Sequence, residues 1–303
     1  MLAENKAKFE EMDFSQKKEH LKKLLIHHPR FKKAINKIQH CRESIDIFNE
    51  PQCMYVTGPS GSGKSTVFET YIKMYGKNSY SVTRTKKPIL SATVPSPVRL
   101  STFTEALLDK LGDPFPTNGT VGNKIYRLQE LIKDCEVELI LLDEFQHFIK
   151  TDKPKDSAVV ADNFKSLINE TKVSVVFFGL DGAEDVFIAN EQLGRRATIK
   201  EELHPFSYKD QASTNEFRAL LKQVDSKLPF VNLAGLGTPD FADKIMLATD
   251  GIMNSIMKLV KEAALFALKH EKETIEMSDL AMAFDLHAFF LSGPKEEKKN
   301  PFE

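Results

Sequence analysis

The stretch Gly58-Pro-Ser-Gly-Ser-Gly-Lys64-Ser65 restricts this chain more than any other. A glycine-rich turn closing on Lys-Ser wraps backbone N–H groups around phosphate oxygens when it leaves a buried strand and opens a helix. Both flanks are present. Cys53-Met-Tyr-Val-Thr57 reads as the short buried strand and Ser65-Thr-Val-Phe-Glu-Thr-Tyr-Ile72 as the helix. Gly58, Pro59, Ser60, Gly61, Ser62, Gly63, Lys64, Ser65 and Thr66 are therefore the candidate nucleotide-binding residues. Lys64 is expected on the β- and γ-phosphates and the Ser65 hydroxyl on Mg²⁺, with ATP as the ligand.

Hydrolysis is a separate claim, and Leu139-Ile-Leu-Leu-Asp-Glu144 carries it. An apolar run ending in Asp-Glu reads as a buried parallel strand that delivers two carboxylates to the sheet edge where open α/β folds bind ligands. Asp143 is expected to hold Mg²⁺ through its water shell, and Glu144 to orient and polarise the attacking water. The plainer alternative is an ordinary strand followed by two surface acids. Pairing with the phosphate loop favours ATP hydrolysis.

Bulk properties narrow the setting. A length of 303 residues allows one large domain or two modest ones, and 41% apolar with 28% charged residues is ordinary globular composition. No apolar run approaches the ~20 residues of a membrane span, and the charged N-terminus has no signal-peptide core. Cys41, Cys53 and Cys135 lack metal-ligand spacing, as expected of reduced thiols in a cytoplasmic protein. A net charge of −1 excludes a global basic field, so any nucleic-acid contact must be a local patch.

Four segments follow from the pattern: an N-terminal helical segment (1–48), a phosphate-loop core (49–205), a helical lid (206–292) and a polar, disordered tail (293–303). Lys17, Lys18, Lys22, Lys23, Arg30, Lys32, Lys33 and Lys37 load the first segment with base, and His27-His28-Pro29 breaks its helix. These cations read as the solvated face of amphipathic helices, with a DNA-binding arm as the alternative. Pro88–Val94 reads as the second strand, and Pro95-Ser-Pro97 breaks the chain after it. Thr102-x-x-Glu105 reads as a capping box opening a helix at Ala106 that stops at Gly112. A helix is expected over Lys124–Lys133, a mobile loop over Thr151–Ala158, a helix over Ala161–Glu170 and a fourth strand over Val173–Phe178. Thereafter helices dominate, with starts at Thr238-Pro239-Asp240 and Ser278-Asp279, a helical pattern over Ile252–Leu268 and a short strand Thr274–Met277. The fold class is α/β: a parallel-sheet domain with a small C-terminal helical domain.

This layout resembles the AAA+ ATPases. Pro95-Ser-Pro97, then Leu107-Leu108-x-x-Leu111-Gly112-x-Pro114, Leu142-Asp-Glu-Phe-Gln-His147 and Gln192-Leu-Gly-Arg-Arg196, resemble more specifically the TniB/TnsC family of transposition ATPases, from about Ile26 to Phe290. The resemblance implies an ATP-dependent oligomer on double-stranded DNA that links a target-selection protein to a transposase. It also implies that Arg195 and Arg196 reach a neighbouring subunit's γ-phosphate, a role that suits a planar, always-charged guanidinium. The family places DNA contacts in loops after the second strand and near the following helices, where Arg99, Thr102, Lys124 and Arg127 are the candidates.

Two departures stand out. Gly251-Ile-Met-Asn254 holds no arginine where such lids often carry one, and the fourth strand ends in Phe178-Gly179-Leu180 with no polar residue at its tip. Another residue must then position the water, or turnover is slow. His147 reads as a packing or hydrogen-bonding residue, since Glu144 already fills the role of base; His27 and His28 read as structural or adenine-adjacent. A clamp-loader or replication-initiator type of AAA+ ATPase is the alternative function, and a non-assembling small-molecule kinase a third. The Asp-Glu pair and the helical domain argue against the kinase.

Overall fold

The computed structural model describes residues 8–80, 85–148, 154–182, 194–287 and 299–303. The chain divides into two compact units, residues 29–203 and residues 1–28 with 204–303. The basic N-terminal stretch is thus shared between them: its first helix belongs with the C-terminal unit and its second with the sheet.

Within residues 29–203 the element order is α2 (Pro29–Phe48), β1 (Cys53–Thr57), α3 (Lys64–Tyr75), a short β2–β3 pair (Ser79–Tyr80 and Thr85–Lys86), β4 (Ile89–Thr93), α4 (Leu100–Leu111), α5 (Val121–Asp134), β5 (Leu139–Asp143), a 3-10 turn (Phe145–Phe148), α6 (Pro154–Thr171), β6 (Ser174–Gly179) and β7 (Ile199–Glu202). The main sheet runs β4-β5-β6-β1-β7 with every pair parallel. Period-two alternation divides its side chains between two cores. Cys53, Ile140, Leu142, Val175 and Phe177 pack with α4, α5 and α6. Met54, Val56, Leu139, Leu141, Val176 and Phe178 pack on the other face with Phe31, Ile35 and Ile38 of α2 and Val67 and Tyr71 of α3. Burial on both faces is why β5 and β6 read as continuous apolar runs.

Several local expectations change. α4 begins at Leu100 with Arg99 as its N-cap, so Thr102 and Glu105 lie inside the helix rather than forming a capping box. The Thr102 hydroxyl donates back to the Arg99 carbonyl at 3.1 Å, and Glu105 accepts from Ser101 and Lys124. The helix does stop at Gly112, whose N–H returns to the Leu108 and Asp109 carbonyls. Residues 154–158, expected in a loop, open helix α6; the rest of that expected loop, 151–153, lies outside the described residues. β7 had no signal in the sequence. Ile-Lys-Glu-Glu is a charged edge strand, with Glu201 buried against Lys37 at 2.6 Å and Lys33 at 3.4 Å.

The other unit consists of α1 (Phe14–Lys23), α7 (Gln211–Lys227), α8 (Pro239–Thr249), α9 (Met253–Lys269) and α10 (Met277–Leu286). Leu21, Leu24 and Ile26 join Phe217, Leu221, Ile256, Val260 and Phe284 in one core. α8 starts at Thr238-Pro239 as the sequence indicates. Thr274–Glu276 is not a strand; it leads into α10, where Glu276 and Asp279 form a capping box bridged by Lys272. His28 is buried and meets the Phe206 ring edge-on at 5.5 Å.

The end of the chain is also ordered where it is described. Phe302 is 5% exposed and its ring lies 6.3 Å from that of Phe284, while Asn300 donates to the Ala281 carbonyl and the Asp285 carboxylate. Of the tail expected to be disordered, 293–298 lie outside the described residues. Phe302→Ala should therefore destabilise the helical unit by about 2–4 kcal/mol, read from its urea midpoint. An unchanged midpoint would return these residues to a disordered tail.

Candidate nucleotide site

β1 ends at Thr57, and the chain turns at once into the loop. The backbone of Gly58 runs at φ 154, and a Cβ there would stand 2.4 Å from the Leu203 carbonyl oxygen and 2.8 Å from the Ser62 hydroxyl. Leu203 itself follows β7 and donates its N–H to the Thr57 carbonyl at 2.8 Å, so the start of the loop is clamped against the edge of the sheet. Gly63, at φ 102, is the N-cap of α3, and a Cβ on it would meet nothing within 4 Å: the loop keeps open space at the helix mouth. There the first N–H groups of the helix have no intrahelical partner, and the helix dipole favours anions. The Ser62 hydroxyl is buried without a hydrogen-bond partner, and the Lys64 ammonium donates to the Gly58 and Pro59 carbonyls at 2.7 and 2.9 Å. Ser65 and Thr66 are exposed on the first turn. An orphan hydroxyl, a lysine folded onto its own loop and open space beside Gly63 at a helix N-terminus fit a triphosphate.

The acids arrive from β5. β5 and β1 are both parallel neighbours of β6, so Asp143 lies two strand spacings, roughly 10 Å, from the end of β1 at the same edge. Asp143 is half-buried, and burial raises its carboxyl above the ordinary range; the nearby Glu144 and Glu69 charges act the same way, while the Glu144 N–H and Lys64 oppose them. Burial lowers the Lys64 ammonium, opposed by the carboxylates of Asp181, Asp143 and Glu144. Glu144 is exposed and adopts φ 59, with its N–H bonded to Asp143 Oδ1 at 2.8 Å. Ser65 and Asp143 have the chemistry to hold Mg²⁺, a hydroxyl and a carboxylate.

The acidic turn is tied down by Gln146, whose role the sequence did not show, and by His147. The Gln146 amide donates to Glu144 Oε2 and accepts from the Leu180 N–H at 3.2 Å. His147 Nδ1 lies 2.9 Å from the Val94 carbonyl oxygen, so it anchors the turn to the end of β4, as expected of a hydrogen-bonding histidine. Asp181, just past β6, supplies the largest charge effect on Lys64. No pattern in the chain singled it out; only the parallel sheet brings it to the loop.

Arg195 and Arg196 lie elsewhere. The Arg196 carbonyl accepts from the Cys53 N–H at 2.8 Å, at the first residue of β1. The phosphate loop leaves the other end of that strand, five residues or roughly 16 Å away. Arg195 is exposed, whereas Arg196 is half-buried with its Nη1 enclosed and without a hydrogen-bond partner. Gln192 and Leu193 of the same motif lie outside the described residues.

The four DNA-contact candidates separate into two kinds. Arg99 and Thr102 are exposed at the N-terminal end of α4. Lys124 is 6% exposed and pairs with Glu105 at 2.6 Å, holding α5 to α4. Arg127 pairs with Asp113 at 2.8 Å and donates to the Phe115 and Asn118 carbonyls, fixing the loop between those helices. Lys124 is thus spent on packing α5 against α4, whereas Arg127 is paired but keeps about a third of its side chain exposed (34%). Sequence shows the charge of Lys124 but not its burial.

The loop geometry separates two glycine substitutions. Gly58→Ala should cost about 2–4 kcal/mol of stability and abolish ATP binding, because the methyl must displace the Leu203 backbone. Gly63→Ala should cost only the strain of its dihedral, about 1–2 kcal/mol, while still weakening ATP binding strongly. Denaturant midpoints and a fluorescent-nucleotide titration check both; equal stability losses would contradict the clamp at Gly58.

Comparisons with known proteins agree with this architecture. The structure is similar to the Aeropyrum pernix ORC2 protein in ADPNP–ADP complexes (14% identity, TM-score 0.60, covering 85% of this chain and 68% of that one). It is similar also to the Aeropyrum pernix ORC1 protein solved in complex with DNA (14%, 0.57, 88% and 66%) and to a Walker-type ATPase of Pyrococcus abyssi (11%, 0.59, 90% and 75%). These likenesses show the fold, that of the AAA+ ATPases, and on it the phosphate loop and acidic strand make the chain an ATP hydrolase. No curated protein matches the sequence. Residues 18–208, well over half the chain and including every strand of the main sheet, match the model for the bacterial TniB protein, and the chain belongs to the TniB family.

Proposed function

We propose that this ATPase is a regulator of DNA transposition. It assembles on double-stranded DNA with ATP bound, hydrolyses that ATP, and links a target-selection protein to a transposase. Membership of the TniB family supports the transposition role. The observation that carries the assembly is the separation of Arg195 and Arg196 from their own phosphate loop by the length of β1. An arginine that cannot reach its own nucleotide is positioned for a neighbour's, so the site is complete only between copies.

Within one copy, the Gly58–Ser65 loop and the α3 N-terminus bind the phosphates through backbone N–H groups, with the Lys64 ammonium leaving its loop carbonyls for phosphate oxygens. Ser65 and Asp143 would hold Mg²⁺, which would supply positive charge against the phosphates. Glu144 accepts the proton of the attacking water. Arg195, exposed at the opposite edge, is the residue that reaches the next copy, and Arg196, with its carbonyl in the sheet ladder, anchors it. Arg99 and Thr102 at the head of α4 are the DNA contacts of this reading; they meet phosphates rather than base edges and so carry no sequence preference.

A replication-initiator-type ATPase is the second reading, and the fold likeness to the ORC proteins favours it. It would share the composite site but form a closed assembly of fixed size, where a transposition regulator extends along the duplex.

Mixing subunits tests the composite site. Arg195→Ala and Lys64→Ala should each hydrolyse ATP slowly alone. A trans arginine is worth ~10³–10⁵ in rate in GTPases, and the lower end or less is expected here. Combined, they should turn over ATP well above the sum of the two, because intact loops then face intact arginines. Normal assembly with no recovery would place the arginine within its own subunit or outside the chemistry.

A further inference from the structure

Gln146 is 8% exposed and lies in the 3-10 turn that follows the acidic pair. Its side chain is held at both ends. Leu180, directly after the last residue of β6, donates its backbone N–H to Oε1 at 3.2 Å. A backbone N–H can only donate, so the oxygen of the amide must face Leu180 and the nitrogen must face the other way. That nitrogen donates to Glu144 Oε2. The orientation of the amide is therefore set by the sheet, since β6 is paired on both sides by β1 and β5.

Glu144 needs such a hold. It is an exposed residue at φ 59, and Gln146 is the side chain that bonds its carboxylate. Phe178, Gly179 and Leu180 at the end of β6 carry no polar side chain, and Asp181, the first polar residue beyond them, bears on Lys64. We propose that Gln146 is the positioning residue of the hydrolytic site: it fixes one oxygen of Glu144 through a donated hydrogen bond and leaves Oε1 free to accept the proton of the attacking water. The inference rests on the reading of Glu144 as the base. It assigns to an amide on the acidic turn the work that a polar strand tip would otherwise do, with the backbone of that tip retained as its anchor.

Two variants separate positioning from structure. Gln146→Glu keeps the length of the side chain and the acceptor for Leu180, so the turn holds, but it presents an acceptor to Glu144 where a donor stood. Gln146→Ala removes both bonds. Misplacement of a reacting group by about 1 Å can cost 10²-fold, and we expect kcat to fall roughly 10- to 100-fold for Gln146→Glu and roughly 10-fold for Gln146→Ala, by the same misplacement argument. ATP affinity should stay within a factor of about two, because neither variant touches the phosphate loop.

The decisive arm is the double variant. In a Glu144→Gln background, Gln146→Ala should lower the residual turnover no further, since its only effect runs through Glu144. The proposal is overturned if Gln146→Ala turns over ATP as fast as the unaltered protein or faster. It is equally overturned if Gln146→Ala reduces the Glu144→Gln residue of activity by the same factor as it reduces the parent. Glu144→Gln hydrolysing at the parent rate is a different failure, because it removes Glu144 as base. Glu144→Gln inactive with Gln146→Ala fully active removes Gln146 alone.

Discussion

Parallel pairing throughout the main sheet is the constraint on which the rest depends. With every strand pointing the same way, all the strand ends that can meet a ligand share one edge, and all the starts share the other. The phosphate loop, Asp143, Glu144 and Asp181 stand at the first edge because they follow β1, β5 and β6. Arg195 and Arg196 stand at the second because they precede β7, the strand that pairs with β1 on its outer side. The same register that builds the nucleotide site therefore keeps the arginines out of it. On the reading proposed above, that separation is what would divide the catalytic groups between copies.

Much of the first edge was legible in the chain. The loop and its flanks announced themselves because phosphate binding demands glycines, a lysine and a hydroxyl at fixed spacing. β5 and β6 showed as apolar runs because both of their faces are buried. What stayed hidden has physical reasons. β7 is an edge strand whose buried Glu201 is met by Lys33 and Lys37 of α2 while Lys200 and Glu202 pair with each other, and neither periodicity nor propensity marks it. Thr102 and Glu105 have the spacing of a capping box, but the helix starts a turn earlier and their side chains serve other partners. Lys124 and Arg127 look like cations offered to a polyanion until their carboxylate partners are seen. Asp225 is 4% exposed and accepts from the N–H groups of Ala234, Gly235 and Leu236, organising the turn before α8. Long-range partners of this kind are invisible to any window along the chain.

The electrostatics of the site point in one direction. Burial works against the charged forms of both Lys64 and Asp143, and each is supported in part by the other. A triphosphate with a divalent cation supplies what both lack, an anion for the ammonium and a cation for the carboxylate. Ligand binding of this type is coupled to order in the loop, because Lys64 must exchange its bonds to Gly58 and Pro59 for phosphate oxygens. The acidic turn, by contrast, is fixed beforehand by Gln146 and His147 to β6 and β4.

The central claim is that one copy holds an incomplete catalytic site. The most direct measurement is ATP turnover per subunit as a function of protein concentration, with and without duplex DNA. The account predicts turnover that rises steeply with concentration and then saturates, with DNA moving the rise to lower concentration as it gathers subunits along the duplex. Turnover per subunit that stays constant down to concentrations where the protein is monomeric, and is unmoved by DNA, would contradict it.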